Sequence, residues 1–194
     1  NDAGSVIKVS RALIKFNITE ISESVVDGTI PSNAKYYLNL YDANSVELNT
    51  TQSIYGYPVS KSWDGGQGKY HDNPKTVEGV SWRYRVGQTD GTQWISGSND
   101  TGGTWYSGSG YEASQSFTHE PDDLRMDVTD IVWKWLGSTV PNEGFMIKRN
   151  GSMEYSTTED EGSTTHYGHF LYFGRDTHTV YQPKLEVVWD DSTW

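Results

Sequence analysis

From Arg11 to Ile18 the chain alternates: Ala12, Ile14, Phe16 and Ile18 fall on one face, and Arg11, Lys15 and Asn17 on the other. A period of two is the pattern of a strand with one buried face. Residues 34–41 repeat it, with Ala34, Tyr36, Leu38 and Leu40 opposed to Lys35, Tyr37, Asn39 and Tyr41. Further short strands are predicted over 52–59, 80–85, 113–118, 144–149, 153–156, 169–173 and 184–189. Many short strands closing over one shared interior predict an all-β sandwich.

Between these runs lie turn-forming stretches such as Asp64-Gly65-Gly66-Gln67-Gly68, where glycine supplies the positive φ that other residues resist. The spans 60–74 and 87–110 are long for connections in a compact domain, which marks them as places for contacts with other molecules. One helix interrupts the β pattern. Val128, Ile131, Val132, Trp135 and Leu136 form a single apolar stripe at helical spacing, predicting a short amphipathic helix over 127–136 across one end of the sandwich. Asp127 takes the N-cap position, Asp130 adds negative charge to the first turn and Gly137 stands as the C′ residue. Asp127 and Trp135 are structural anchors in this reading. There is no tandem repeat and no linker, so residues 1–194 read as one domain.

Composition narrows the function classes. The 194 residues carry a net charge of −11, which opposes a sequence-independent grip on phosphate backbones or anionic headgroups and argues against nucleic acid as a partner. No run approaches the ~18 apolar residues of a membrane span, and the opening residues 1–5 lack the layout of a secretion leader. Without cysteine, stability must come from burial and hydrogen bonds rather than disulfides or thiolate-held zinc.

Trp63, Trp82, Trp94, Trp105, Tyr106 and Tyr111 cluster in or beside the long loops, where exposed rings could stack on sugars or on a partner protein. The competing reading is that the rings tuck beneath their glycine-rich loops as structural anchors; it is the stronger one for Trp63 and Trp82 and stands level with the contact reading for Trp94, Trp105 and Tyr106. Trp94, Trp105, Tyr106, Tyr111 and the terminal Trp194 remain the candidates for glycan or partner contact. Acidic runs at 120–123, 159–161 and 190–191 could hold a structural calcium, but none has the spaced register of a dedicated loop, and a solvated acidic face is the stronger reading. Of the five histidines only His166 and His169 lie close together, at a spacing that points to opposite faces of a strand, so no metal site is expected. No nucleophile-elbow, zincin, P-loop or dinucleotide fingerprint marks a catalytic centre, and the chain reads as a non-enzyme with no required cofactor.

Several segments in order resemble one family. An Arg-Ala-Leu-Ile-Lys-Phe strand (from Arg11) is followed by Ala-x-x-x-Leu-x-Leu-Tyr (from Ala34), then Tyr57-Pro58-Val59-Ser60-Lys61-Ser62-Trp63, Gly79-Val80-Ser81-Trp82, Asp127-Val128-Thr129-Asp130-Ile131-Val132 and Asn142-Glu143-Gly144-Phe145-Met146-Ile147-Lys148. This order is similar to that of the DNRLRE family of jelly-roll modules, which resemble carbohydrate-binding modules in fold. The run from Gly174 to Glu186, with Arg175-Asp176-Thr177-His178 and Gln182-Pro183-Lys184-Leu185, resembles the closing signature of such modules in structural proteins of tailed, particularly marine, bacteriophages. The resemblance implies a jelly-roll β-sandwich acting as a virion structural protein, in capsid decoration, tail, baseplate or fibre. Its expected location is the virion or the extracellular space, and its partners other virion proteins or copies of itself. The rival expectation is a carbohydrate-binding module that meets glycans with its loop aromatics. Only about ten residues precede Arg11, where the family normally carries a further strand, so that strand is shortened or supplied by a neighbouring chain across an open sheet edge.

Overall fold

The computed structural model describes residues 9–46, 51–67, 78–87, 91–97, 102–118, 122–150 and 168–192. Its strands are β1 (Ala12–Ile14), β2 (Lys35–Leu40), β3 (Gln52–Pro58), β4 (Tyr84–Val86), β5 (Thr92–Gln93), β6 (Ala113–Phe117), β7 (Leu124–Asp127), β8 (Phe145–Lys148) and β9 (Lys184–Val188). A four-stranded sheet has the order β1-β8-β3-β6, a three-stranded sheet the order β7-β2-β9, and β4 pairs with β5 alone; every pairing is antiparallel. The expected all-β sandwich class holds.

Alternation in the sequence becomes the inner faces. In β2, Tyr36, Leu38 and Leu40 are buried while Lys35 is exposed and Tyr37 and Asn39 lie between. Opposite them, the four-stranded sheet turns Ile54, Ala113, Phe117, Phe145 and Ile147 into the same interior. Gly56 lets the layers close up. A Cβ there would stand 2.9 Å from the Met126 sulfur of β7, inside contact distance.

The four-stranded sheet is covered on its outer face as well. Tyr57, Val59 and Met146 point away from the main interior and meet Trp94 and Trp105 in a second buried cluster, with Leu13, Tyr55, Trp63 and Val80 packed against it. Gly103 crosses directly above the Met146 side chain, where any Cβ would collide with the methionine methyl.

Among the described residues there are two helices where one was expected. α1 (Thr19–Val26) follows β1, and α2 (Thr129–Leu136) follows β7. α2 buries Ile131, Val132 and Trp135 at one end of the sandwich, and the Trp135 ring packs on Phe145 at 4.7 Å. It starts two residues later than expected. Asp127 stays in β7, paired with Tyr37, so Val128 is the N-cap; the Asp127 Oδ1 still accepts the Thr129 N–H at 3.0 Å. Gly137 has φ −80° and is the C-cap, while Ser138, at φ 54°, takes the left-handed C′ position expected of Gly137.

The remaining differences are local. The first alternating run is strand only as far as Ile14. The stretch 169–173 forms isolated bridges, Val46 with His169 and Asp42 with Tyr172, instead of a strand. The strand expected over 80–85 lies at Tyr84–Val86, and the one expected over 153–156 lies outside the described residues.

Candidate functional site

The loop tryptophans are inside. Trp94 is 1% and Trp105 3% exposed, so neither offers an open ring to a sugar or a partner, and their reading as contact residues is corrected. The reason is the apolar outer face of the four-stranded sheet, which needs a cover that the polar loops supply only through their rings. Trp94 donates its indole N–H to the Ser81 carbonyl at 3.0 Å. The Trp105 ring lies 5.7 Å from that of Tyr57, with the Arg11 guanidinium 5.1 Å and the buried Lys148 ammonium 5.0 Å from its centroid. Arg11 also lies 4.6 Å from the Trp82 ring, so the cation fastens the start of β1 to the loop layer. Trp63 is half-buried and donates to the Glu143 carbonyl at 2.8 Å.

Tyr106 and Tyr111 reach the surface beside α2. Their rings stack at 5.7 Å and 29°, and the Lys134 ammonium lies 4.7 Å from the Tyr111 ring. Trp194 lies outside the described residues.

Two open features remain. β1 ends its sheet, and among the described residues no strand pairs with its other side. Along that side runs a cleft of about 1790 Å³ between the 11–19 segment and the 170–178 arm, with Ile14, Leu40, Ile147 and Phe170 in its lining. The second is a shallower groove of about 740 Å³ beside the outer face of the three-stranded sheet, bounded by Asn39, Tyr41, Arg125, Lys184 and Glu186. An open sheet edge next to Arg11 was expected from the resemblance, whereas the cleft along it and the second groove were not singled out by the sequence, because they arise from strand order.

At the far end of the 170–178 arm the Tyr172 hydroxyl is buried without a hydrogen-bond partner among the described residues. Burial, and then the carboxylates of Asp42, Asp123 and Asp122, push its pKa well above the usual tyrosine value. Asp42 is held to its own loop, accepting from the Ser45 N–H at 3.2 Å while its N–H donates to Asp123 Oδ1 at 2.8 Å. Among the described residues no group of three His, Asp or Glu side chains is arranged to hold a metal, and no helix is long and apolar enough to cross a membrane. Comparison with known protein families, curated proteins and solved structures finds no match to this chain.

Proposed function

We propose that this chain is a non-enzymatic structural module of a tailed-phage particle, built as a jelly roll and docked on neighbouring subunits along the free side of β1. The observation that carries the reading is the cleft beside β1. An edge strand offers N–H and C=O groups on its outer side to an extended segment, and β1, three residues long between Arg11 and Lys15, is a short edge of this kind. Here the edge opens on a large cleft in which apolar side chains such as Ile14, Leu40, Ile147 and Phe170 stand among polar ones such as Asn17, Arg175 and Gln182, a surface that strand addition can use: main-chain bonds for affinity and side-chain pockets for specificity. The jelly-roll reading is supported by the way strands β1 to β3 and β6 to β9 alternate between the two sheets along the chain. A net charge of −11 keeps such a subunit soluble before assembly.

The rival glycan module loses Trp94 and Trp105 from its platform by burial and keeps only Tyr106 and Tyr111 of the described candidates. Hydrogen exchange tests the docking. In the isolated chain the outward β1 amides exchange quickly, and in purified particles they are protected. Equal exchange in both, or particles whose mass spectra lack the chain, would remove the proposal.

A further inference from the structure

β9 is an edge of the three-stranded sheet, and among the described residues no strand pairs with its far side. Hydrogen bonds around β2 show which of its backbone groups face that side. Tyr36 turns toward β7, its N–H donating to Thr129 Oγ1 at 3.0 Å and its carbonyl accepting from the Val128 N–H at 2.9 Å. Because these groups alternate in direction along a strand, Tyr37 and Asn39 turn toward β9, where they stand opposite Glu186 and Lys184. The N–H and C=O groups of Leu185 and Val187 therefore point out of the sheet. At the end of β9, Val188 is 40% and Trp189 39% exposed, and Asp190 follows them directly.

We propose that β9 pairs antiparallel with β9 of a second copy of this chain about a two-fold axis at Val187, joining the two three-stranded sheets edge to edge. An axis perpendicular to the sheet keeps outer face beside outer face, so residues opposite each other share a face and the axis passes through a residue. Charge and backbone chemistry then choose the register. An axis at Glu186 sets the two Glu186 carboxylates side by side, and one at Val188 sets Glu186 against Asp190; like charges directly opposed destabilise a ladder. An axis at Leu185 puts Pro183, which has no N–H, against the outward-pointing Val187. With the axis at Val187, that residue bonds to its own mate, Lys184 faces Asp190 and Leu185 faces Trp189, each of these pairs made twice by symmetry. Glu186 brings no stranded charge to the contact, since Arg125 Nε at 3.0 Å and Asn39 Nδ2 at 3.3 Å already hold its carboxylate. Repulsion between two chains of net charge −11 keeps the dimer weak.

Sedimentation velocity of the full chain over a range of concentrations tests this. The expected result is a monomer–dimer equilibrium with a Kd of ~10–100 μM, as suits a small interface. Lys184→Glu and Asp190→Lys each set like charges opposite one another at two places and are expected to weaken the dimer about tenfold. Combined in one chain they restore opposite charges and should recover most of the parent affinity, which a contact in another register would not do. Val187→Pro removes an N–H that makes no bond within its own sheet and is expected to abolish the dimer. The charge reversals, at the surface, keep the test intact if circular dichroism shows the proline variant unfolded. A chain still monomeric at ~1 mM overturns the proposal. So does self-association that the single reversals leave unchanged, or that the double reversal fails to restore. Failure here leaves docking at β1 standing, because that is read from amides of the other sheet in the assembled particle.

Discussion

Ser138 holds a positive φ of 54° where glycine is usual. Its N–H donates to the Trp135 carbonyl at 3.0 Å and the Thr139 N–H to the Lys134 carbonyl at 2.8 Å, the two bonds of a Schellman motif closing α2. The left-handed conformation costs an L-residue ~1–2 kcal/mol, more than the ~0.5–1 kcal/mol of extra chain entropy that glycine brings. Ser138→Gly is therefore expected to stabilise the chain by ~0.5–1 kcal/mol, seen as a higher Tm by circular dichroism. Tyr172 gives a pH dependence. Its folded-state pKa lies above the unfolded value of ~10. Below that pH both states keep the proton, and above it only the unfolded state releases its proton readily, so stability falls as pH rises past ~10. Tyr172→Phe removes this loss along with an unpartnered hydroxyl; its Tm should exceed that of the parent increasingly above that pH, with Tyr36, also raised by burial, leaving the remainder. Equal alkaline profiles would show that the ring is freely solvated.

α1 and α2 are entered and left in the same way. Asn17 and Asp127 each stand two residues before the first helical residue and accept its N–H at 3.0 Å, across an apolar N-cap, Ile18 or Val128. Thr29-Ile30-Pro31 and Thr139-Val140-Pro141 follow the two exits. Asn17→Ala and Asp127→Ala should each cost ~1 kcal/mol in urea unfolding, since each strips one helix of its side-chain acceptor. That shared pattern was legible but hidden. The alternation of Ile14, Phe16 and Ile18 reads as one strand, although Ile18, Ile21 and Val25 also fit a helical stripe, and a short window satisfies both periods. β7 was masked in the reverse sense, because Asp127 looks like a cap and draws the helix boundary back into a strand. β2, β3, β6, β8 and β9 were readable because one face of each meets the interior. The second cluster was not, since the apolar residues of the outer face of the four-stranded sheet, Leu13, Tyr55, Tyr57, Val59 and Met146, come from three separate segments. Trp94 and Trp105 were read as exposed because their loops are polar; their burial depends on a sheet face that no local window contains. The two open grooves follow from strand order alone.

The molecule is layered about its four-stranded sheet, with the three-stranded sheet on one side and the tryptophan-bearing loops on the other, and this arrangement makes a claim about coupling. Gly56 faces the three-stranded sheet through Met126, whereas Met146 faces the loops beneath Gly103. Gly56→Val would push a branched side chain into the Met126 sulfur and should cost ~1–3 kcal/mol by overpacking. Met126→Ala alone should cost ~2–5 kcal/mol by leaving a cavity. Together the two changes exchange volume across the same gap, so the double variant should be more stable than the sum of the single losses predicts, by ~1 kcal/mol or more. Met146→Ala, on the opposite face of the sheet, should add to Gly56→Val without such relief. Urea unfolding of the five variants in one buffer measures both cycles. If Gly56→Val couples equally to Met126→Ala and Met146→Ala, the four-stranded sheet does not separate two distinct interiors, and the burial of Trp94 and Trp105 on its far side loses its structural reason.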